Sequence, residues 1–377
     1  MFRTALGFVG AAAALIAAGG CQGKPKPLLR LTVVSGLDVS ADGRRVAAFG
    51  TVGEGSYDTS IRVWDAASGN PTTAREYHLP NGRQFFVSGG PVALSPDGST
   101  LAALGMYHEP GTLTQPASGD HVLVFWSVET GEVVNAITPP LHDPNPPSYL
   151  SPPRLTFTAD GSAVVFVSSL GPVTVRVADR MTTVPRPEDK PWTQTVYVPA
   201  LGRLAETRGT KDHRGAALAT WDPVASGPPA VVRLEGVASN PHNFAISADG
   251  RTAAVVHGVT DSEHRPVVTF HRVADGRKTG QLPAEQMSPF GPSPTVAISA
   301  DGALVALSGR YGRAGGSVEV YRSADGQRIQ RRAWEQSHGG SFASHFIFTQ
   351  DGKTLFYVRG LGTIVRMDME TGEETTY

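Results

Sequence analysis

Histidines are the residues of this chain best suited to chemistry. His108 stands beside Glu109 and His142 beside Asp143, while His242, His257, His264, His338 and His345 are spaced singly along the rest. A neutral imidazole offers one ring nitrogen as an acceptor or metal ligand and titrates near neutral pH, so several converging on one point can hold a divalent metal. No two stand at a His-x-x-x-His spacing, which would put both on one helical face. A shared site therefore needs a fold that gathers distant segments; exposed loop histidines are the alternative. Nucleophilic chemistry has less to draw on. There is no Gly-x-Ser-x-Gly elbow, and Cys21 is the only cysteine. Gly312, Gly315 and Gly316 fall between apolar runs and not ahead of a helix, so they do not form a phosphate loop. Arg310, Arg313, Arg328, Arg331 and Arg332 make one region locally basic. That region suits either an anionic partner or a solvated face.

The elements that must position these residues are announced by one phrase. An apolar residue, Ser or Thr, any residue and then Asp-Gly occurs at Ser40–Gly43, Ser95–Gly98, Thr158–Gly161, Ser247–Gly250, Ser299–Gly302 and Thr349–Gly352. Asp-Gly between two apolar segments predicts a hairpin, because Gly accepts the positive φ that a tight turn between twisted strands demands. Each copy is followed by a second strand, a variable polar loop, a third strand and often a Gly-marked turn. In the first copy these are residues 45–49, 53–59, 61–65 and Ser68-Gly69. Between Asp160 and Asp249 the phrase skips a beat. A degenerate copy is expected at residues 195–203, with Leu201-Gly202 standing in for Asp-Gly and Ala216 to Asp222 as its third strand. Seven units of about 40 to 60 residues match the period of propeller blades.

With 43 Gly and 29 Pro, turns are frequent and long helices are not expected. Short apolar runs such as 92–94, 244–246 and 296–298 suit strands buried on both faces. A lone three- or four-stranded sheet buries too little to stand by itself, so the units are expected to pack face to face around an axis. The predicted fold is all-β: a seven-bladed β-propeller of antiparallel four-stranded blades, with six blades and an irregular insert as the alternative. Residues 28–34 read as a strand, and the simplest closure has it complete the last blade.

The first twenty residues read as an export signal, with Arg3 ahead of an apolar run from Ala5 to Ala18 that is short for a bilayer. Ala18-Gly19-Gly20-Cys21 resembles the bacterial lipobox, with Ala18 where Leu is usual. That resemblance implies lipidation of Cys21, a tether over residues 22–27 and a propeller from 28 to 377. The implied location is outside the cell membrane, anchored to its surface and facing the periplasm or exterior. Lys and Arg total 33 against 34 Asp and Glu, so no net field favours nucleic acid. A monomer is expected.

The repeat also resembles the WD40 and WD40-like β-propeller family. Ile61-Arg62-Val63-Trp64-Asp65 is similar to its third-strand signature, as is Ala219-Thr220-Trp221-Asp222, with Val124–Ser127 and Val365–Asp368 as looser copies. The Gly-His dipeptide that opens many WD40 repeats is absent from this sequence. Asn240-Pro241-His242-Asn243 ahead of Phe244 resembles the approach to a strand in YVTN and lactonase-like propellers. In such a fold the loops between second and third strands, and those between blades, open on one face. That face would collect 53–59, 106–120, 142–154, 257–266 and 310–316. It makes His108, Glu109, His142, His242, His257, His345, Arg310 and Arg313 the candidate ligand-face residues. The resemblance implies a non-enzymatic scaffold that recognises a protein or small ligand there, without a cofactor. The rival is a propeller enzyme, a lactonase-like hydrolase or quinoprotein-like oxidoreductase, with an axial active site.

Overall fold

The computed structural model describes residues 31–52, 59–72, 84–86, 92–108, 121–138, 154–168, 171–178, 181–183, 195–209, 215–223, 228–237, 241–259, 266–283, 295–311, 315–335 and 343–377. Lipidation of Cys21, the tether and the strand start at Leu28 lie outside them, as do Glu109, His142 and Arg313.

Seven antiparallel sheets follow one another along the chain. Blade 1 is β1 (Leu31–Val39), β2 (Arg45–Val52) and β3 (Thr59–Asp65), with a bridge from Trp64 to Pro71 at its outer edge. Blade 2 has β4 (Gln84–Phe86) and β5 (Val92–Leu94) sharing the innermost position, since both pair with β6 (Thr100–His108). Its outer strands are β7 (His121–Ser127) and β8 (Val133–Ile137). Blade 3 is β9 (Thr156–Phe157), β10 (Ala163–Ser168), β11 (Gly171–Arg176) and β12 (Met181–Thr183). Blade 4 is β13 (Thr195–Val198), β14 (Arg203–Gly209), β15 (Ala216–Trp221) and β16 (Ala230–Leu234). Blade 5 is β17 (Pro241–Ile246), β18 (Thr252–Val259), β19 (Pro266–Arg272) and β20 (Lys278–Gln281). Blade 6 is β21 (Val296–Ile298), β22 (Leu304–Tyr311), β23 (Gly315–Arg322) and β24 (Arg328–Trp334). Blade 7 is β25 (Ala343–Phe348), β26 (Thr354–Arg359), β27 (Thr363–Asp368) and β28 (Glu374–Thr376).

The repeated phrase builds the turn between the first two strands of six blades. In the first, Ser40 Oγ donates to Asp42 Oδ1 at 2.6 Å and accepts the Arg45 amide at 3.0 Å, while the same Asp42 oxygen accepts the Arg44 amide at 3.0 Å. Ser247 and Asp249 repeat this at 2.5, 3.0 and 2.9 Å, so the loop amides left out of the ladder are satisfied by two side chains. Gly302 shows why the fourth residue is glycine. Its φ is +76°, and a Cβ there would lie 2.8 Å from Thr252 Oγ1 of the preceding blade. Blade 4 makes the turn by other means, as its degenerate copy predicts. A single 3-10 turn, Pro199–Leu201, ends on Gly202 at φ 59°.

Seven apolar clusters hold the ring, one at each junction. Phe49 and Val63 of blade 1 meet Val124 and Trp126 of blade 2, and Phe125 of blade 2 meets Phe157 and Phe166 of blade 3. Val165 and Trp221 join blades 3 and 4, and Leu218 and Phe244 join blades 4 and 5. Phe270 and Tyr321 join blades 5 and 6, and Val320 and Tyr357 join blades 6 and 7. Trp64 and Phe356 close the circle between blades 1 and 7. Strands too short to bury themselves thus have both faces covered. Trp64, Trp126 and Trp221 are all buried, as strand packing requires.

The closure differs from the simplest expectation. Blade 7 supplies all four of its own strands, and β1 is the inner strand of blade 1, paired along its length with β2. The reason lies at the seam. The Val34 amide donates to the Leu361 carbonyl at 2.6 Å, and a Cβ at Gly362 would sit 2.6 Å from the Thr32 carbonyl, so backbone meets backbone there without strand exchange. Tyr377 then reaches back to blade 1, its hydroxyl donating to the Ala66 carbonyl at 2.7 Å.

Candidate axial recognition site

Because neighbouring strands in each blade are antiparallel, successive connections alternate between the two ends of the ring. The Asp-Gly turns and the Gly-marked turns share one end. The connections from second to third strand and from blade to blade share the other, which is where the irregular segments depart. The inner strands β1, β5, β9, β13, β17, β21 and β25 surround the axis between these ends.

At the irregular end, three side chains of the inner ring carry chemistry. His242, near the start of β17, is exposed. Arg154, two residues ahead of β9, is also exposed to water, yet desolvation by surrounding protein lowers its pKa. His345, the third residue of β25, feels that guanidinium's charge from the opposite part of the ring.

His345 is held tightly. Among the described residues it is the only one other than glycine with positive φ, at 55°, and it sits within a bulge between Ser344 and Ile347. A bulge re-aims a side chain, and a left-handed histidine persists only where its surroundings compensate. The Ser35 carbonyl lies 3.1 Å from Nε2 and can only accept, so that nitrogen carries the proton. Nδ1 then accepts from Ser344 Oγ at 2.9 Å. Burial, followed by the Arg154 charge, lowers the His345 pKa against the opposing hydrogen bond to Ser35, and the imidazole is neutral.

The other expected ligand-face residues divide differently. His108 ends β6, where its backbone pairs with Gln84, and Arg310 lies in β22 opposite Gly316. His257 is not in a loop. β18 extends through Val259, and His257 is 4% exposed within it. Its Nε2 lies 3.1 Å from Thr269 Oγ1, which lies 2.8 Å from His271 Nε2, and His271 Nδ1 lies 3.1 Å from the Gly276 carbonyl. The terminal carbonyl fixes the direction: His271 Nδ1 donates to it, Thr269 donates to His271, and His257 donates to Thr269. The loop expected at 257–266 left His257 out of the strand that joins this chain. Positions 269 and 271 do alternate on one face of β19, and that was the available signal.

The basic region is also bound up internally. Glu319, fully buried in β23, takes Arg331 at 3.3 Å and Tyr321 Oη at 2.5 Å, with Arg328 at 3.9 Å. Arg332 and Arg359 approach Glu374 at 3.9 and 3.4 Å. Arg328, Arg331 and Arg332 lie on β24 at the outer edge of blade 6, away from the axis. Among the described residues no three of His, Cys, Asp and Glu form a group able to hold a metal ion.

At the opposite end of the inner strands, next to the Asp-Gly turn of blade 1, stands Asp38. Its Oδ2 accepts the Leu94 amide of the neighbouring inner strand at 2.7 Å, a donor that faces the axis and has no ladder partner. Burial outweighs that hydrogen bond and raises the Asp38 pKa to about 7.

The fold is a seven-bladed β-propeller of mostly four-stranded antiparallel blades, with His242, Arg154 and His345 at the irregular end of its inner ring, the axial mouth. No family model matches the chain, and no curated protein matches it. Among solved structures it is similar to Kuenenia stuttgartiensis hydrazine synthase, at 14% identity and a TM-score of 0.54 over 95% of this chain and 99% of that one. A eukaryotic initiation factor aligns at 13% identity and a TM-score of 0.47, over 90% and 87% of the two chains. At 14% identity the likeness to the hydrazine synthase chain is one of fold.

Proposed function

We propose that this chain is a non-enzymatic recognition scaffold, a divergent WD40-like propeller exported from the cell and held on a membrane surface through lipidated Cys21. One observation carries the reading: the irregular connections leave the ring at the same end as His242, Arg154 and His345, while the repeat's own polar residues are tied up in turns at the other end. Variable segments on a rigid scaffold are where binding usually resides. A third strand ending in Trp64-Asp65 and another ending in Trp221, followed by Asp222, support the family likeness, and Ala18 to Cys21 supports the anchor.

Two measurements test it. Mass spectrometry of the mature N-terminus is expected to find a diacylglyceryl group on Cys21, and an unmodified chain starting elsewhere would remove the anchor. Replacing residues 109–120 by a Gly-Ser linker is expected to change the proteins captured from envelope extracts. Identical capture by both forms counts against that segment as a recognition surface. The enzyme reading has its own marker: stoichiometric metal in the purified protein, lost in His242→Ala or His345→Ala, would replace the scaffold with a catalyst.

A further inference from the structure

We propose that Ser344 is a nucleophilic serine that takes an acyl group from an activated ester, with His345 as its general base. This covalent step goes beyond recognition of a partner and does not depend on it.

In a regular strand consecutive side chains point to opposite faces, so Ser344 and His345 would stand apart. They meet because β25 is bulged between Ser344 and Ile347 and His345 takes a left-handed backbone, with φ 55°. Ser344 Oγ then lies 2.9 Å from His345 Nδ1. A third group comes from blade 1. Ser35 is the residue that the register of β1 with β2 skips, and its carbonyl accepts His345 Nε2–H at 3.1 Å. That bond fixes the tautomer, so Nδ1 presents its lone pair to the hydroxyl. A hydroxyl, a base within hydrogen-bond reach and a group that orients the base are the parts of an activated nucleophile. Backbone strain of this kind clusters at functional sites.

Access separates this pair from the hydroxyl–histidine contacts of blade 5. Thr269 stands between His257 and His271 but is fully buried, out of reach of any reagent. Ser344 and His345 are only partly buried. Burial also keeps the His345 ring neutral, so it can accept a proton near pH 7.

In the step, Ser344 Oγ attacks the carbonyl carbon of the ester while its proton passes to His345 Nδ1. The bond from that carbon to the leaving oxygen breaks, and the departing alcohol takes the proton from Nδ1. The products are O-acyl-Ser344, a free alcohol and a neutral His345. One transfer leaves the acyl group on the chain, so it modifies the scaffold without turnover. Nucleophile and base alone call for a good leaving group, such as that of an aryl ester.

The test treats the purified full chain with p-nitrophenyl acetate, follows release of p-nitrophenol and maps the acetyl group by peptide mass spectrometry. A single equivalent released, with the acetyl group on Ser344, is expected. The rate should rise with pH until His345 is neutral and then stay level. His345→Asn tolerates the left-handed backbone but lacks the base, and should be acylated about a hundredfold more slowly or worse, without that pH profile. Unchanged thermal midpoints would show that the variant folds. No acetyl group on Ser344 of the parent chain, acetyl groups on lysines alone, or equal acylation of His345→Asn overturns the proposal. Release that continues past one equivalent and disappears in Ser344→Ala would keep the nucleophile and overturn the non-enzymatic reading instead. Partner capture through residues 109–120 stands whether or not Ser344 reacts, so the two readings fail separately.

Discussion

The hydroxyl of Tyr377 donates to the carbonyl of Ala66 at 2.7 Å, across 311 residues of chain. Its ring also packs against Trp64 of blade 1 and Phe356 of blade 7, with centroids 6.4 and 6.3 Å away. This side chain adds to the Val34–Leu361 backbone hydrogen bond in fastening the seam that no shared strand closes. Tyr377→Phe is expected to cost about 1 kcal/mol by losing the hydrogen bond, and Tyr377→Ala about 2 to 3 kcal/mol by losing the packing as well. Urea unfolding of both variants checks this. Equal losses would mean the hydroxyl alone matters.

The Asp-Gly turns are expected to behave as coupled pairs. Ser247→Ala removes both a donor to Asp249 and an acceptor for the Thr252 amide, and should cost about 1 to 2 kcal/mol. Asp249→Ala breaks the same network, so the double variant should lose clearly less than the two single losses added together. A double-mutant cycle in denaturant measures the coupling, and strict additivity would contradict the shared network.

Much of this was legible in the chain itself. Ser/Thr-x-Asp-Gly specifies a local turn through contacts within five residues, so its six copies and the displaced fourth, Leu201-Gly202, could be read directly. Blade count and the common end of the irregular connections follow from them. Closure by Tyr377 could not be read, because an aromatic at the end of a sequence carries no mark of its partner 311 residues away. Arg154 was missed for a similar reason. It lies at the edge of an irregular segment, and only the ring places it at the same end as His345 of blade 7. His257 was misplaced because the strand containing it runs three residues further than its apolar pattern, carried by a bulge at Gly258 with φ 62°.

The buried histidine chain predicts how stability depends on pH. The His257 pKa is lowered to about 4, chiefly by burial and then by His271, so its neutral form is favoured in the fold. Its contribution is complete above the unfolded value near 6.5 and is lost as pH falls toward 4. His257→Gln should flatten that part of the unfolding free-energy curve. Thr269→Val, which strands both rings, should cost about 2 kcal/mol or more near pH 7. A further fall is expected at lower pH. Asp160 is lowered to about 2 by its bonds to Thr158 and Ser162, so its contribution is present above the unfolded carboxylate value and is lost as pH drops through about 2.

Asp38 acts in the opposite sense. With a folded pKa raised to about 7, its favourable contribution is present below the unfolded value near 3.8 and is lost as pH rises through 7. Asp38→Asn keeps an acceptor for the Leu94 amide without the buried charge. It should stabilise the protein at pH 8 by about 1 kcal/mol, discounted for the partial exposure of Asp38, and steepen the loss between pH 7 and 4. Chemical denaturation across that range checks both effects. A destabilised variant at pH 8 would show that the charge itself is needed.

The proposed recognition face is tested most directly by site-specific photocrosslinking in intact cells. A photoreactive residue at His242, on the axial mouth, is expected to yield a discrete crosslinked species. The same residue at Arg44, on the opposite end, is expected to yield none. Crosslinks at Arg44 with none at His242 would contradict the assignment of the mouth as the site of recognition.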